Sequence, residues 1–403
     1  LGGAIVLLML LGDGVTLSHT LREQVTDRAR DYLFDYVSWE ADALWGKMMQ
    51  ELRGVGAYMD EDTRADLVEE YLTGVGNLAE LNAQIERLYA SEDDPAQATA
   101  DLIRERDALR AELDKNQALV ESIIETQIAA VLGDEGIALA GQVIPPVSMH
   151  FTEIPTLLIV SPRDRIAFDV DINLTDLSVD ERAALEDRID SDLGVASLVV
   201  PLGGLSLYPS MIIETSRPAR AFEVTTHEWT HHYLMIFPLG AEYNLRPETR
   251  IINETVATFA GRAIAEKVMA RYYPDLPQPQ YPAFPPLPDD LDAPQDTQAQ
   301  PAAEEIPAET ESDVFDYSRT LHETRVRIDE LLSEGKIDEA EAYMESQRLI
   351  FVENGYAIRK LNQAYFAFYG GYQGSPGAGG TDPIGPAVYE LRERAPSFAA
   401  WLR

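Results

Sequence analysis

The stretch TTHEWTHHYL, residues 225–234, places three of the chain's six histidines and one glutamate within six consecutive positions. His227, Glu228 and His231 form the pattern HExxH. Because residues four apart lie on one face of a helix, the two histidines can present ring nitrogens to the same metal ion. The alternative is a helix whose histidines and glutamate are ordinary solvated side chains. Apolar neighbours favour a buried helix over that alternative; they are Val224, Trp229, Leu234, Met235 and Ile236.

A hydrolytic zinc site needs a third protein ligand and leaves its fourth position to water. A second predicted helix begins near Pro247, ends before Pro274 and carries Asn253 and Glu254 in its early turns. If the loop between the two helices turns the chain back, Glu254 comes to lie beside the two histidines. Glu228, next to the first histidine, is then placed to take a proton from the water of such a site.

HExxH followed by Asn-Glu at 253–254 resembles the gluzincin metallopeptidases, the superfamily of thermolysin-like and aminopeptidase-like enzymes. The resemblance covers roughly residues 150–270 and implies a zinc ion (Zn²⁺) bound by His227, His231 and Glu254, with Glu228 as general base. It also implies an edge strand, within Leu205–Glu214, that pairs with the substrate backbone. The C-terminal sequence NGYAIRKLNQAYFAFYGGYQG is similar to predicted membrane-associated bacterial peptidases of the superfamily with no assigned substrate.

Other polar residues are weaker candidates for the site. Gluzincins usually stabilise the oxyanion with a downstream tyrosine or histidine, and Tyr369 is our candidate; core packing of its helix is the alternative. Glu214 could bind a substrate amino group, although its surroundings do not match the aminopeptidase motif. His232 lies about 100° around the helix from His231, so we expect it to pack or to support a ligand. Thr258 stands where thermolysin-like members often have an aspartate that orients a histidine ligand.

Composition excludes several classes of function. The formal net charge is −37, with 69 acidic and 32 basic residues, so the chain cannot neutralise a row of phosphates and does not bind nucleic acid. Cysteine is absent, which excludes disulfides, thiolate ligands and cysteine nucleophiles.

The N-terminal part divides into two predicted segments. Residues 1–18 start with the uncharged run LGGAIVLLMLL, which we interpret as the end of a membrane anchor or uncleaved signal; a buried core helix is the alternative. The few basic residues that follow favour an extracytoplasmic location, bacterial by the resemblance. Residues 19–142 are predicted as a helical arm: an amphipathic helix over His19–Leu52, then a coiled-coil-like hairpin. The hairpin either docks a protein partner or packs against the next domain, and we favour packing.

The rest divides into three. Residues 143–273 are predicted as an α+β catalytic subdomain with a small mixed sheet, built from strands in 156–162, 165–174 and 197–214 and a helix opened by a Ser178–Glu181 capping box. Residues 274–312 are a disordered insertion rich in proline and acid, which either tethers or gates substrate or is a dispensable loop. Residues 313–403 are predicted as a helical subdomain, with helices in 313–333, 337–352 and 356–372.

The sequence therefore predicts a membrane-anchored zinc metallopeptidase of α+β fold that acts on a peptide or protein substrate. Two alternatives stay open at this point. One is a membrane-anchored scaffold or assembly protein with a structural or vestigial metal site. The other is a zinc hydrolase that acts on a non-protein amide.

Overall fold

The computed structural model describes residues 20–36, 39–40, 59–91, 95–175, 177–243, 247–281, 315–370 and 383–403. This part of the chain is α+β, as predicted, with long helices and two three-stranded sheets. The helices are α1 Leu21–Ala29, α2 Glu61–Ser91, α3 Pro95–Asp134, α4 Val179–Leu193, α5 Pro218–Leu234, α6 Pro238–Ala241, α7 Pro247–Tyr272, α8 Tyr317–Ser333, α9 Ile337–Glu353, α10 Gln363–Tyr369, α11 Ile384–Arg394 and α12 Phe398–Leu402. The strands are β1 Met149–Phe151, β2 Thr156–Pro162, β3 Val170–Leu174, β4 Val195–Pro201, β5 Gly204–Leu205 and β6 Ser210–Ile212.

One sheet has the strand order β3-β2-β4 and is antiparallel throughout. The other has the order β1-β6-β5, with β1 parallel and β5 antiparallel to β6. The single small mixed sheet predicted from the strands in 156–162, 165–174 and 197–214 is therefore divided between two sheets, and only the one that contains β1 is mixed. The single edge strand predicted over Leu205–Glu214 is wrong. Two short strands replace it, with β6 at the centre and β5 at the edge, because the loop 206–209 turns out of the sheet and bonds to α5 through the Ser206 hydroxyl.

Strand β2 has the predicted bounds 156–162, and β4 begins two residues before the predicted 197, but the strand predicted over 165–174 is shorter in the structure. Within 165–174 only β3 is extended. The preceding Ile166 and Phe168 instead pack on the hydrophobic cluster that the antiparallel sheet forms with the C-terminal helices. The capping box that opens α4 is confirmed, because Ser178 and Glu181 exchange side chain-to-backbone hydrogen bonds.

The single amphipathic helix predicted over His19–Leu52 is wrong within the described residues. A Thr20–Glu23 capping box starts α1, which ends at Ala29. Leu33 then forms an antiparallel bridge with Leu174, so backbone pairing with β3 replaces helical hydrogen bonds. The predicted anchor at 1–18 and the stretch 41–52 lie outside the described residues. No described helix combines the length and the apolar character that crossing a bilayer requires.

The hairpin of α2 and α3 packs against the rest of the chain, which is the arrangement that we favoured. One hydrophobic cluster contains Leu72 of α2, Ile124 and Ile128 of α3, and Phe222 and Trp229 of α5. The hairpin is therefore continuous with the core that supports the HExxH helix. The division of the chain into domains stays a prediction.

The C-terminal helices α8–α10 cover the antiparallel sheet. Their side chains form a second cluster with the sheet, represented by Ile159, Val200, Phe351 and Phe366. The helix predicted over 356–372 is shorter in the structure, because the side chain of Asn362 accepts a hydrogen bond from the Tyr365 N–H and starts α10 only there. Residues 282–312, which are most of the predicted insertion, lie outside the described residues, as do residues 313–314 at the start of the next predicted helix.

Candidate metal centre

Helices α5 and α7 form the site, and both were predicted. Pro218 occupies the first turn of α5, where its missing N–H costs no hydrogen bond, and α7 begins at Pro247. The two helices pack closely at Gly261, where a Cβ atom would lie 2.6 Å from the carbonyl oxygen of Glu223. Because of this close approach, the early turns of α7 lie beside the histidines of α5.

The three predicted ligands converge. Nε2 of His227 and Nε2 of His231 are 3.1 Å apart, and Oε2 of Glu254 lies 3.3 Å from the first and 3.5 Å from the second. Glu254 is 4% exposed, and both histidines are mostly buried. Among the described residues this is the group of side chains that could hold a metal ion.

The charges of the cluster are strongly coupled. Burial would raise the pKa of Glu254, but the two histidines outweigh it and hold that pKa well below its usual range. Burial would likewise lower the pKa of His231, but the charge and hydrogen bond of Glu254 raise it to about 9. Glu254 and the histidines are therefore close enough for each to shift the protonation of the other.

Asn253, which precedes the glutamate ligand, orients one histidine ligand. Its Oδ1 lies 2.7 Å from Nδ1 of His231, while its Nδ2 donates to the carbonyl of Leu239. This hydrogen-bond network assigns the His231 proton to Nδ1 and leaves Nε2 facing the cluster. Thr258 has a different role, because its hydroxyl donates to the backbone carbonyl of Glu254.

Glu228 lies on an adjacent face of α5 and is 7% exposed. Burial raises its pKa, and the charges of the neighbouring histidines oppose that shift. Its carboxylate sits directly against the edge strand: a Cβ atom at Gly204 would lie 2.4 Å from Oε1 of Glu228. The backbone of β5 therefore lies so close to the Glu228 carboxylate that any residue other than glycine at position 204 would clash with it.

Strand β5 and the following loop run along one stripe of α5. Residues four apart on this stripe contact successive parts of the chain: Arg220 lies at Gly203, and Val224 and Glu228 lie at Gly204. His232 ends the stripe, with its ring 5.6 Å from that of Tyr208. The carbonyl of Gly203 accepts a hydrogen bond from the Ile213 N–H, so the backbone N–H and C=O of Gly204 point away from β6, toward the side of β5 on which the described residues add no further strand.

His232 is buried, as we expected for a packing residue, and it does not join the cluster. Neither of its ring nitrogens forms a hydrogen bond with the described residues. Burial lowers its pKa to about 4, with a further contribution from the charge of His231. His232 is therefore neutral near pH 7.

The structure does not bring the predicted Tyr369 to the cluster. Its ring packs on Tyr365 and Phe368, in the helix that covers the antiparallel sheet, and it makes no hydrogen bond or ring contact with a ligand among the described residues. Glu214 is also occupied: Arg110 donates to both of its oxygens and Tyr71 donates to one. Three of the hydrogen bonds that this carboxylate can accept are therefore used within the chain.

A tyrosine that the sequence analysis did not single out lies at the site instead. The hydroxyl of Tyr243 donates to Oε1 of Glu254, and its ring stands edge-on to that of His231 at 5.9 Å. The guanidinium group of Arg250 lies 4.9 Å from the centre of the same ring. The sequence feature that could have identified Tyr243 is its position in the loop PLGAEYN, which joins the two helices that form the site.

Comparison of the chain with known proteins finds no matching protein family, no matching curated protein and no matching solved structure. The gluzincin resemblance accordingly rests on the motif residues, and the function is argued from the geometry of the site.

Proposed function

We propose that this chain is a zinc-dependent metallopeptidase in which Glu228 is the general base. The proposal is carried by one observation: three ligand atoms converge beside a further buried carboxylate that lies against an open strand edge. A structural metal site has no need of that carboxylate, whereas hydrolysis requires a base beside the metal.

The ligand atoms fit zinc in kind, number and spacing. Two imidazole nitrogens and one carboxylate oxygen form a common ligand set of catalytic zinc. Ligand atoms bound at about 2.0–2.1 Å in a tetrahedron lie about 3.3 Å apart, and here the separations are 3.1, 3.3 and 3.5 Å. Oε2 of Glu254 is buried and lies 3.3 and 3.5 Å from the two histidine nitrogens, farther than an ordinary hydrogen bond, which is consistent with a metal-ligand role. When bound, zinc supplies a Lewis acid that polarises a carbonyl and lowers the pKa of water.

Glu228 performs the proton transfers. Its carboxylate accepts a proton from the attacking water and delivers it to the nitrogen of the leaving amine. A carboxyl group whose pKa is raised by burial holds that proton more readily between the two steps.

Tyr243 is the hydrogen-bond donor that the site offers to the substrate oxygen. Its hydroxyl lies within hydrogen-bond distance of one ligand carboxylate, so a small movement brings it to an oxygen bound beside that ligand. A donor aimed at the oxygen that becomes negative stabilises the transition state more than the ground state.

The substrate is an extended peptide that pairs with the open side of β5. The outward-facing N–H and C=O groups of Gly204 supply the backbone hydrogen bonds, directly above Glu228. This edge favours a peptide over a compact amide as substrate. The scaffold and non-protein amide alternatives are separated from the peptidase by the experiment below.

The experiment compares the wild type with Glu228→Gln and His231→Ala in zinc content and in hydrolysis of quenched peptides. We expect about one zinc ion per chain in the wild type and in Glu228→Gln, and loss of zinc in His231→Ala. We expect peptide hydrolysis only in the wild type, with at least a 100-fold loss in Glu228→Gln.

Two results would contradict the proposal. If the folded wild type binds no zinc when zinc is added, zinc-assisted hydrolysis is excluded for peptides and for other amides alike. Stoichiometric zinc without cleavage of any peptide favours a structural site, or a non-protein amide as substrate if such an amide is cut.

A further inference from the structure

A cation lies beside the catalytic base at the start of the edge strand. Nη2 of Arg220 would be 3.0 Å from a Cβ atom at Gly203, so its guanidinium group rests on the backbone of that residue. The next residue, Gly204, meets Glu228 in the same way. Two consecutive glycines thus place one backbone segment against both the cation and the base.

Arg220 keeps hydrogen-bond donors for a further ligand. Its ion pair among the described residues is with Glu223, at 3.4 Å, and Glu223 also approaches Nε of Arg262 at 3.6 Å. A guanidinium group carries five N–H donors, more than this single shared carboxylate uses. The side chain of Arg220 is 41% exposed, whereas that of Glu223 is 14% exposed, so the cation is the member that solvent and ligands reach.

For a peptide that pairs antiparallel with β5, the direction of the strand defines which end of the peptide meets Arg220. A peptide that pairs antiparallel with β5 has its C-terminal half toward Gly203 and its N-terminal half toward Leu205. Each peptide residue advances about 3.3 Å along the strand. Arg220 therefore faces the substrate within a few residues on the C-terminal side of the bond above Glu228.

We propose that Arg220 binds a substrate carboxylate on the C-terminal side of the cleaved bond, so the preferred substrates are peptides with a carboxylate at that position. This inference rests on the proposed peptidase function. The carboxylate is either the C-terminal group of a short peptide or the side chain of an acidic residue, and both form the same paired hydrogen bonds with a guanidinium group. The chain's net charge of −37 repels anions at long range, so such a substrate needs a local cation of this kind.

The test measures peptide binding by the zinc-loaded Glu228→Gln chain, so that cleavage does not enter the result. Two pairs of labelled peptides are compared by fluorescence anisotropy. One pair differs only in a free or amidated C-terminus, and the other differs only in Glu or Gln after the central bond. We expect the carboxylate-bearing member of one pair to bind about tenfold more tightly, and this pair identifies the source of the carboxylate. The preference should shrink at high ionic strength.

Two further variants locate the effect, each made in the Glu228→Gln background. Arg220→Gln should abolish the preference while zinc content and the circular dichroism spectrum stay unchanged. Arg217→Gln removes the same charge three residues earlier in the chain, at an exposed position, and should keep the preference. A difference between these two variants excludes a general effect of net charge.

Three results would overturn the inference: equal binding within both pairs, a preference that survives in Arg220→Gln, or no binding of any of the four peptides. A separate measurement, whether the wild type hydrolyses an uncharged quenched peptide, tests the proposed peptidase function independently of the role of Arg220. If that peptide is cut while both pairs bind equally, the peptidase stands and the role of Arg220 does not.

Discussion

Nδ1 of His231 lies 2.7 Å from Oδ1 of Asn253, so the residue before one ligand fixes the proton of another. The same asparagine is held in place by its hydrogen bond to the carbonyl of Leu239. The segment Asn253–Glu254 thus supplies both a candidate ligand and the group that orients a second candidate ligand. The hydrogen bond from His231 goes to Asn253, whereas Thr258 donates to the backbone carbonyl of Glu254.

Asn253→Ala should weaken zinc binding about 10- to 100-fold, because His231 loses the acceptor that fixes its tautomer and ring orientation. The measurement is competition for zinc with a chromophoric chelator. Asn253→Asp keeps an acceptor at the same position and should retain most of the affinity. Unchanged affinity in Asn253→Ala would contradict an orienting role.

Tyr243→Phe should lower kcat by about 100-fold without loss of zinc, because one donor to the substrate oxygen is removed. Tyr369→Phe is the comparison, since that tyrosine packs on Tyr365 away from the ligands, and its activity should change little. Steady-state kinetics on one quenched peptide checks both variants. The reverse ranking would return the oxyanion role to Tyr369, as the sequence suggests.

Gly204→Ala should abolish most peptide hydrolysis and leave zinc bound, because the added methyl group needs the space that Glu228 Oε1 occupies. The base or the edge strand must then move, and a displacement of about 1 Å can cost 100-fold in rate. Gly133→Ala is a suitable control, since a Cβ atom at that helical position meets nothing within 4 Å. Full activity in Gly204→Ala would show that the contact between β5 and Glu228 is not required.

The ion pair of Glu341 and Arg163 should make stability depend on pH. Hydrogen bonds from Arg163 lower the pKa of Glu341, with a smaller contribution from Gln363. Because the folded pKa is below the unfolded one, the stabilisation is complete above the unfolded pKa, about 4.3, and is lost as pH falls through the folded pKa.

Denaturant unfolding of the wild type and Glu341→Gln measures this dependence. The pair is partly exposed, so we expect the variant to lose about 0.5–1 kcal/mol at pH 7 and the difference to vanish in acid. Glu353→Gln removes an exposed carboxylate from the other end of the same helix and should show no such loss. A difference that persists in acid would contradict the ion-pair origin.

Local sequence patterns predicted the elements that carry the ligands. HExxH with apolar neighbours predicted α5, and Pro247 predicted the start of α7. The Ser178 capping box predicted the start of α4 for the same reason. In each case the decisive interactions lie within one or two turns of a single helix, where residue spacing fixes the geometry. The contact of Glu254 with the histidines was implied by the resemblance rather than by local spacing.

Contacts between distant segments were not predictable in this way. The helix expected beyond Ala29 ends because Leu33 pairs with Leu174, which no local pattern records. Tyr369 has the spacing of a helical stripe, but only the tertiary fold decides that this stripe meets Tyr365 and the antiparallel sheet. Tyr243 sits in a connecting loop without periodicity, so its approach to Glu254 depends on how that loop closes.

The packing of the α2–α3 hairpin has a consequence for proteolytic processing. The hairpin shares its hydrophobic cluster with α5, and Arg110 and Tyr71 anchor it to Glu214 at the end of β6. Removing it would take away the part of the cluster that Leu72, Ile124 and Ile128 contribute around Phe222 and Trp229, and would leave the Glu214 carboxylate without its partners. For the proposed peptidase, loss of the hairpin after a cut between α3 and β1 should therefore destabilise the helix that carries HExxH rather than release an active fragment.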